Sequence, residues 1–368
     1  MESSRWLVGR VERGVYHRAA TMPHPTTEPK PPATPLSGGV TRLAPSPTGA
    51  LHLGNARTFL VNWAMARQHG WRIVLRIEDL DGPRVKPGAI ESCLATLKWL
   101  GIGWDEGPWV QSEAPEPHAA AMRELAKRGL VYPCELTRAE IEAAASAPHA
   151  PHAPHAPHAP ATPAPGGAQA GGESRFPPEL RPASLGPCLF DTPTTNWRFV
   201  TPDEPVGFVD TFAGAHKANP GRDVGDFVVW TKRGQPAYQL AVVVDDHRQG
   251  VTQVVRGDDL LGSTGRQLLL MRALGLGPEP TYTHLPLVVG EDGRRLAKRH
   301  GDTRLTTYRE TGVSPERVIG LLGWWCGVVA ERVPMSARQF CEGFDLASMC
   351  RDRVVFTQED DRWLRQDL

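Results

Sequence analysis

Cysteine is sparse in this 368-residue chain and never clustered. Its six cysteines, Cys93, Cys134, Cys188, Cys326, Cys341 and Cys350, form no C-x-x-C pair. That excludes a dense disulfide framework and suits a reduced, cytoplasmic chain. An excess of charge of either sign is also missing, since Lys+Arg and Asp+Glu both number 41. Net charge therefore argues neither for nor against nucleic acid, and any surface for it has to be a local basic patch. No apolar run is long enough to span a bilayer, and the N-terminus lacks the apolar stretch of a secretory signal. What remains is 40% apolar and 22% charged residues, an ordinary soluble composition with length for two or three domains.

Two stretches read as outside any packed core. Residues 1–39 include MPHPTTEPKPPATPLSGG, rich in proline and threonine with no apolar period, and read as a disordered leader. The functional start is expected near Met22 or later. The second stretch runs from Ala147 to Gly172, with His149, His152, His155 and His158 at every third residue. Polyproline II repeats at three residues, so these imidazoles can line one edge of an extended rod. A solvated insertion in a surface loop fits the composition better than a metal tract.

Between and after these stretches the chain alternates between strand and helix patterns. Val40–Ala44 predicts a strand, followed by the breakers Pro45, Pro47 and Gly49. Gly54–His69 predicts a helix, Arg72–Ile77 a strand and Ala89–Leu100 a helix. In the second half, Gln239–Val244 reads as a buried strand, Gly265–Leu274 as a helix and Tyr282–Val289 as a strand. Ser314–Cys326 reads as a helix with Ser314 as N-cap and Pro315 at the first helical position. This alternation predicts an α/β fold with a parallel sheet and crossover helices. The core is expected over 40–330, with a mixed α/β insertion at 105–235 and a short helical segment at 331–368.

The most informative stretch is RLAPSPTGALHLGNAR, Arg42 to Arg57, on the first strand–loop–helix. A helix N-terminus offers free N–H groups and a positive dipole end to phosphate. A lone histidine at a helix start is usually only a cap, and H-x-G-x alone is a weak match. The whole segment is far more specific. It resembles the signature of the glutamyl-type class I aminoacyl-tRNA synthetases, with the His-Ile-Gly-His box spanning Pro45 to Asn55 and ending His52-Leu53-Gly54-Asn55. Four further segments resemble the same family: LRIEDLD (75–81), AYQLAVVVDD (237–246), VVRGDDLLGST (254–264) and HLPLVVGEDGRRLAKRHGD (284–302). The last carries the counterpart of the Lys-Met-Ser-Lys-Ser box as Arg295, Leu296, Ala297, Lys298 and Arg299.

The resemblance implies a Rossmann-like catalytic domain that joins glutamate to AMP using ATP, with Mg2+ accompanying the nucleotide. It places His52 and Lys298 as catalytic residues, and His52, Gly54, Asn55 and Lys298 on ATP. It puts Arg42, Leu43, Ala44, Pro45, Ser46, Glu78, Tyr238 and Arg256 around glutamate. Glu78 would hold the ammonium, Arg42 with Tyr238 the side-chain carboxylate, and Arg256 the α-carboxylate. Asp79, Asp81, Asp245 and Asp246 read as turn or network residues. The serine of the second box is Ala297, which removes one phosphate contact.

Only about 38 residues follow Ala330, too few for an anticodon-binding domain. The short architecture, with WRFVTPDEPVGFVD (197–210) and DVGDFVVW (223–230), resembles the glutamyl-Q tRNA(Asp) synthetase branch. That branch implies transfer of glutamate to queuosine in the anticodon of tRNA(Asp), by a chain acting as a monomer and away from membranes. The basic residues Arg266, Arg272, Arg294, Arg295 and Arg299 are expected to hold the anticodon loop. Charging of a tRNA 3′ end, and a non-catalytic glutamate or nucleotide sensor, are the competing functions. The branch often carries a C-x-C…Y-x3-C zinc set. Here only Cys134 and Cys188 remain, with Leu136 and Ser184 at the partner positions, so zinc is not expected.

Overall fold

A computed structural model describes residues 38–146, 175–294, 296 and 303–366. The strands, in chain order, are β1 (Val40–Leu43), β2 (Arg72–Ile77), β3 (Glu106–Val110), β4 (Val131–Cys134), β5 (Asn196–Phe199), β6 (Val206–Asp210) and β7 (Gly214–Ala218). They continue with β8 (Val228–Thr231), β9 (Gln235–Pro236), β10 (Gln253–Gly257), β11 (Thr281–Leu285), β12 (Val288–Val289) and β13 (Val354–Val355). The helices are α1 (Leu53–Gln68), α2 (Ala89–Trp99), α3 (Glu116–Lys127), α4 (Arg138–Ser146), α5 (Pro220–Asp223) and α6 (Tyr238–Arg248). They end with α7 (Leu261–Leu274), α8 (Leu305–Glu310), α9 (Pro315–Trp325), α10 (Ala337–Gly343) and α11 (Gln358–Leu364).

Among the described residues, the central sheet has the order β3-β2-β1-β10-β11-β6-β7. Every pairing in it is parallel except β6–β7. A sheet buried on both faces needs near-continuous apolar strands, and β2 supplies them, with Ile73, Val74, Leu75 and Ile77 all inaccessible. From β1 the sheet steps to β2 on one side, and from β10 to β11 on the other. The crevice at the carboxyl ends of β1 and β10 is therefore the switch point where such sheets take ligands.

The expected elements mostly appear within a residue or two. Ser314 Oγ accepts from the Arg317 N–H at 3.3 Å, with Pro315 at the first helical position. Two segments differ. Gln239–Val244 is not a strand but lies within α6, where every residue from Gln239 to Asp246 is buried. A helix enclosed on all sides loses its polar stripe, so its valine run looks the same as a buried strand. Tyr282–Val289 is not one strand either. The sheet strand stops at Leu285, and after Pro286 the chain leaves the sheet to pair β12 with β13. Proline has no N–H to continue a ladder.

Segment 105–235 contributes β3, β6 and β7 to the central sheet, while β4, β5, β8 and β9 form a separate antiparallel sheet. Segment 331–366 is built into the core. Phe340, Phe344, Met349, Phe356 and Leu364 share one buried cluster with Leu53, Leu60 and Met65 of α1. Capping boxes at Ser336/Gln339 and Thr357/Asp360 start its two helices. The 1–37 part of the leader, the histidine tract, and Arg295, Ala297, Lys298 and Arg299 lie outside the described residues. Leu296 is described and buried.

Candidate active site

A cleft of about 500 Å³ opens at the switch point, lined by Arg42, Ala44, Pro45, Ser46, His52, Gly54, Asn55, Glu78, Tyr238 and Arg256. Of the expected glutamate and ATP residues, it thus gathers all that are described except Leu43, which is fully buried on β1. A second wall comes from Pro286, Leu287 and Val288, just past the end of β11.

The residues expected on the nucleotide sit at the start of α1. His52 is its N-cap, with extended φ and ψ of −116° and 171°. Its Nδ1 accepts from the Gly54 N–H at 3.1 Å, and its own N–H donates to Asn55 Oδ1 at 3.2 Å. The two residues form a capping box that uses histidine and asparagine in place of the usual pair. So the cap reading of His52 and the site reading hold together. With Nδ1 accepting, a neutral His52 carries its proton on Nε2. A Cβ on Gly54 would meet the His52 ring at 3.0 Å, so a larger residue there would press on the imidazole. The first turn holds no acidic residue, which leaves its positive dipole end unneutralised.

The residues expected around the amino acid form a charged network. Arg76, fully buried on β2, donates through Nη1 to Asp246 Oδ1 at 2.7 Å and to Gln249 Oε1 at 2.8 Å. Its Nη2 and Nε reach Glu78 Oε1 at 3.2 and 3.3 Å. Arg42 places Nε 3.4 Å from Asp246 Oδ1 and donates through Nη1 to the Val255 carbonyl at 3.3 Å. Burial works against the charge of Arg76, yet Asp246, Glu78 and Asp245 outweigh it and raise its pKa. Burial lowers the pKa of Arg42, partly offset by Asp246. Glu78 is pushed up by burial, although Arg76 and Arg42 pull the other way. The Glu78 backbone N–H is fixed on the Pro45 carbonyl at 3.0 Å. Tyr238 opens α6 with its side chain 39% exposed. Burial at its hydroxyl, then Glu78, raises its pKa against Arg256 and Arg42.

Asp246 is a network residue, and together with Arg76, which the sequence did not single out, it contacts Arg42 and Glu78. Asp245 is also buried, beside His118 Nε2 at 3.2 Å, with Gln111 donating to it at 2.8 Å. Asp79 accepts from the Ser112 N–H at 2.9 Å. A carboxylate closing an apolar run, as in AVVVDD, was the signal for buried charge pairing, but the strand reading hid which face it served.

Of the arginines expected at the anticodon loop, Arg295 and Arg299 lie outside the described residues. Arg266 sits over the Phe227 ring and donates to Ser263, while Arg272 is paired with Glu279 at 2.7 Å. Cys134 is buried and Cys188 exposed, with its Sγ 3.8 Å from the Val131 carbonyl. No group of three or more potential metal ligands occurs among the described residues. No helix among them is long and apolar enough to cross a membrane.

The family model of the class I tRNA synthetase catalytic domain for glutamate and glutamine matches residues 40–160 and 193–360. A glutamyl-Q tRNA(Asp) synthetase of Symbiobacterium thermophilum is 46% identical over 326 residues, covering 86% of this chain and 96% of that protein. The chain belongs to the glutamyl-Q tRNA(Asp) synthetase family. A glutamate–tRNA ligase of Nitrosomonas eutropha is 36% identical, and the match spans 89% of this chain but 66% of the ligase. The fold of the enzyme is that of a glutamate tRNA ligase from Elizabethkingia meningosepticum, solved with its amino acid, at a TM-score of 0.69 and 25% identity over 89% of this chain and 69% of that one. ATP is the energy source that membership implies.

Proposed function

We infer that the enzyme activates L-glutamate with ATP and transfers it to queuosine in the anticodon of tRNA(Asp). The observation that carries the first step is the charge set of the cleft. Glutamate has two carboxylates and one ammonium, and the cleft lining includes the guanidiniums of Arg42 and Arg256, the phenol of Tyr238 and the carboxylates of Glu78 and Asp259. We assign Arg42, Arg256 and Tyr238 to the carboxylates. Glu78, with Oε1 held by Arg76, offers Oε2 to the ammonium.

An oxygen of the α-carboxylate attacks the ATP α-phosphorus, the bond to the bridging oxygen breaks, and pyrophosphate leaves. Little side-chain covalent chemistry is required, so positioning and stabilisation of charge supply the rate. We assign His52 Nε2–H, the N–H groups at the start of α1, and Lys298 to the phosphates. We place Mg2+ with the ATP phosphates, where it would offset their charge; the described residues offer it no cage of protein ligands. Zinc has no part in this scheme.

In the second step a queuosine hydroxyl attacks the glutamyl carbonyl carbon. An ester forms, the bond to the phosphate oxygen breaks, AMP leaves and the hydroxyl proton is released. Orientation supplies most of this step, and bases of a single-stranded loop are the kind of RNA a pocket can take in. The match over nearly the full length of the glutamyl-Q relative supports this acceptor. We propose that the enzyme acts as a monomer in the cytoplasm.

The test uses labelled glutamate with tRNA from cells that make queuosine and from cells that cannot. Label is expected only with the first, and it should survive trimming of the 3′ end. Equal label with both, or label lost on trimming, would point to 3′-end charging instead.

A further inference from the structure

We propose that Asp210 and His284 are positioning residues that aim Arg256 at the bound amino acid by fixing which imidazole nitrogen carries the proton. This rests on the glutamate reading above and deepens it. Neither residue lines the cleft. Asp210 ends β6, in the segment between the two halves of the signature, and His284 lies on β11.

Asp210, His284 and Arg256 are all buried, at 2%, 1% and 5% exposure. His284 Nδ1 lies 2.6 Å from Asp210 Oδ2, and Arg256 Nε lies 2.9 Å from His284 Nε2. An arginine Nε–H only donates, so Nε2 of His284 has to accept. Its proton must then sit on Nδ1 and point at Asp210. Only the neutral Nδ1–H tautomer satisfies both contacts. Burial holds the pKa of His284 down to about 4, so the neutral form prevails near pH 7. Asp210 is itself fixed, accepting from the N–H groups of Phe212 at 3.0 Å, Ala213 at 2.7 Å and His284 at 3.0 Å.

The remaining donors of Arg256 show what the arrangement serves. Nη1 donates to Gln267 Oε1 at 2.8 Å and Nη2 to Thr264 Oγ1 at 2.9 Å. Those acceptors, and the His284 ring, are neutral. Arg42 and Arg76 both face Asp246, but Arg256 has no carboxylate within ion-pair range among the described residues. Neutral acceptors orient it without cancelling its charge, which stays available to a carboxylate of the substrate. An acid placed directly on Nε would orient it equally well and compete with that substrate. The intervening imidazole keeps the anion of Asp210 one ring away.

Asp210→Asn is the informative variant. The Asn amide hydrogens facing Nδ1 would drive the imidazole proton to Nε2, against the Arg256 Nε–H. Such a change keeps shape and reverses the tautomer. The KM for glutamate in ATP–pyrophosphate exchange should rise by about tenfold or more, since a charge-assisted hydrogen bond is misdirected. The KM for ATP should move by about twofold or less, because uniform damage is not involved. His284→Gln, which keeps an acceptor for Arg256 and a donor for Asp210, should recover most of the glutamate KM, and His284→Ala should not.

Nitrogen NMR of the imidazoles gives a readout independent of activity. The signal missing in His284→Gln should show Nδ1 protonated in the wild type and Nε2 protonated in Asp210→Asn. A wild-type His284 protonated on Nε2 would overturn the inference, as would equal rises in both KM values, or an unchanged glutamate KM in Asp210→Asn with an active wild type. A wild type without glutamate-dependent exchange would instead sink the glutamate reading, and with it this role for Arg256.

Discussion

Lys298→Ala is expected to cut glutamate-dependent ATP–pyrophosphate exchange by about 10²-fold or more, the scale for removing a preorganised donor from developing charge. The KM for glutamate should change little, because the lysine is assigned to the phosphates. The fold supports this assignment through the ends of the loop that bears Lys298. On one side the loop leaves β12, whose Val288 lines the cleft. On the other it returns by hydrogen bonds to the first signature: the Leu53 N–H donates to the Thr303 carbonyl at 3.3 Å, and the Leu305 N–H to the Leu51 carbonyl at 2.8 Å. His52 and Arg304 form an isolated antiparallel bridge. Lys298 lies five positions before Thr303 in sequence, a reach of at most about 18 Å for a fully extended chain. Exchange close to wild type in the variant would remove the lysine from the mechanism.

Glu78→Gln should raise the KM for glutamate by about 10²-fold, since it removes the anion assigned to the ammonium from a buried site. Arg76 and Arg42 would also lose a counter-charge. The pH dependence follows from burial, which raises the pKa of Glu78. The ammonium needs the ionised carboxylate, so glutamate binding should weaken as pH falls through that raised pKa and be complete above it. The glutamine variant should lose this acid limb. Steady-state exchange over an acid pH series reads both effects, and a KM within about twofold of wild type would show that Glu78 does not meet the ammonium.

The parallel core was legible because each of its early elements carries a local signal: breakers after β1, a cap before α1, a β-rich run for β2. The cleft was legible because the signature segments fall at the carboxyl ends of β1, β2 and β10 and at the start of α6. What escaped the sequence was long-range pairing. Asp246 and Arg76 are 170 positions apart, as no periodicity can reveal, and α6 passed for a strand because burial on every side removed its polar stripe. In the sequence His284 is only the first residue of the segment that carries the second box. Its importance arises from Asp210, 74 positions earlier, in a segment that reads as an insertion. Arg272, a basic residue near a signature in sequence, is paired with Glu279, which the sequence pattern does not show.

The pairing of β12 with β13 bears on how the enzyme comes into being at the ribosome. Val288 of the cleft wall is held by Val354, and the core surface of α1 is covered by Phe340 and Phe344. Synthesis is directional, so His52 and its helix emerge long before their cover exists. Their apolar faces must wait, shielded or at risk of aggregation, until the chain beyond residue 340 has been made. A nascent chain stalled before Val354 would carry most of the substrate-facing residues and still lack a finished cleft.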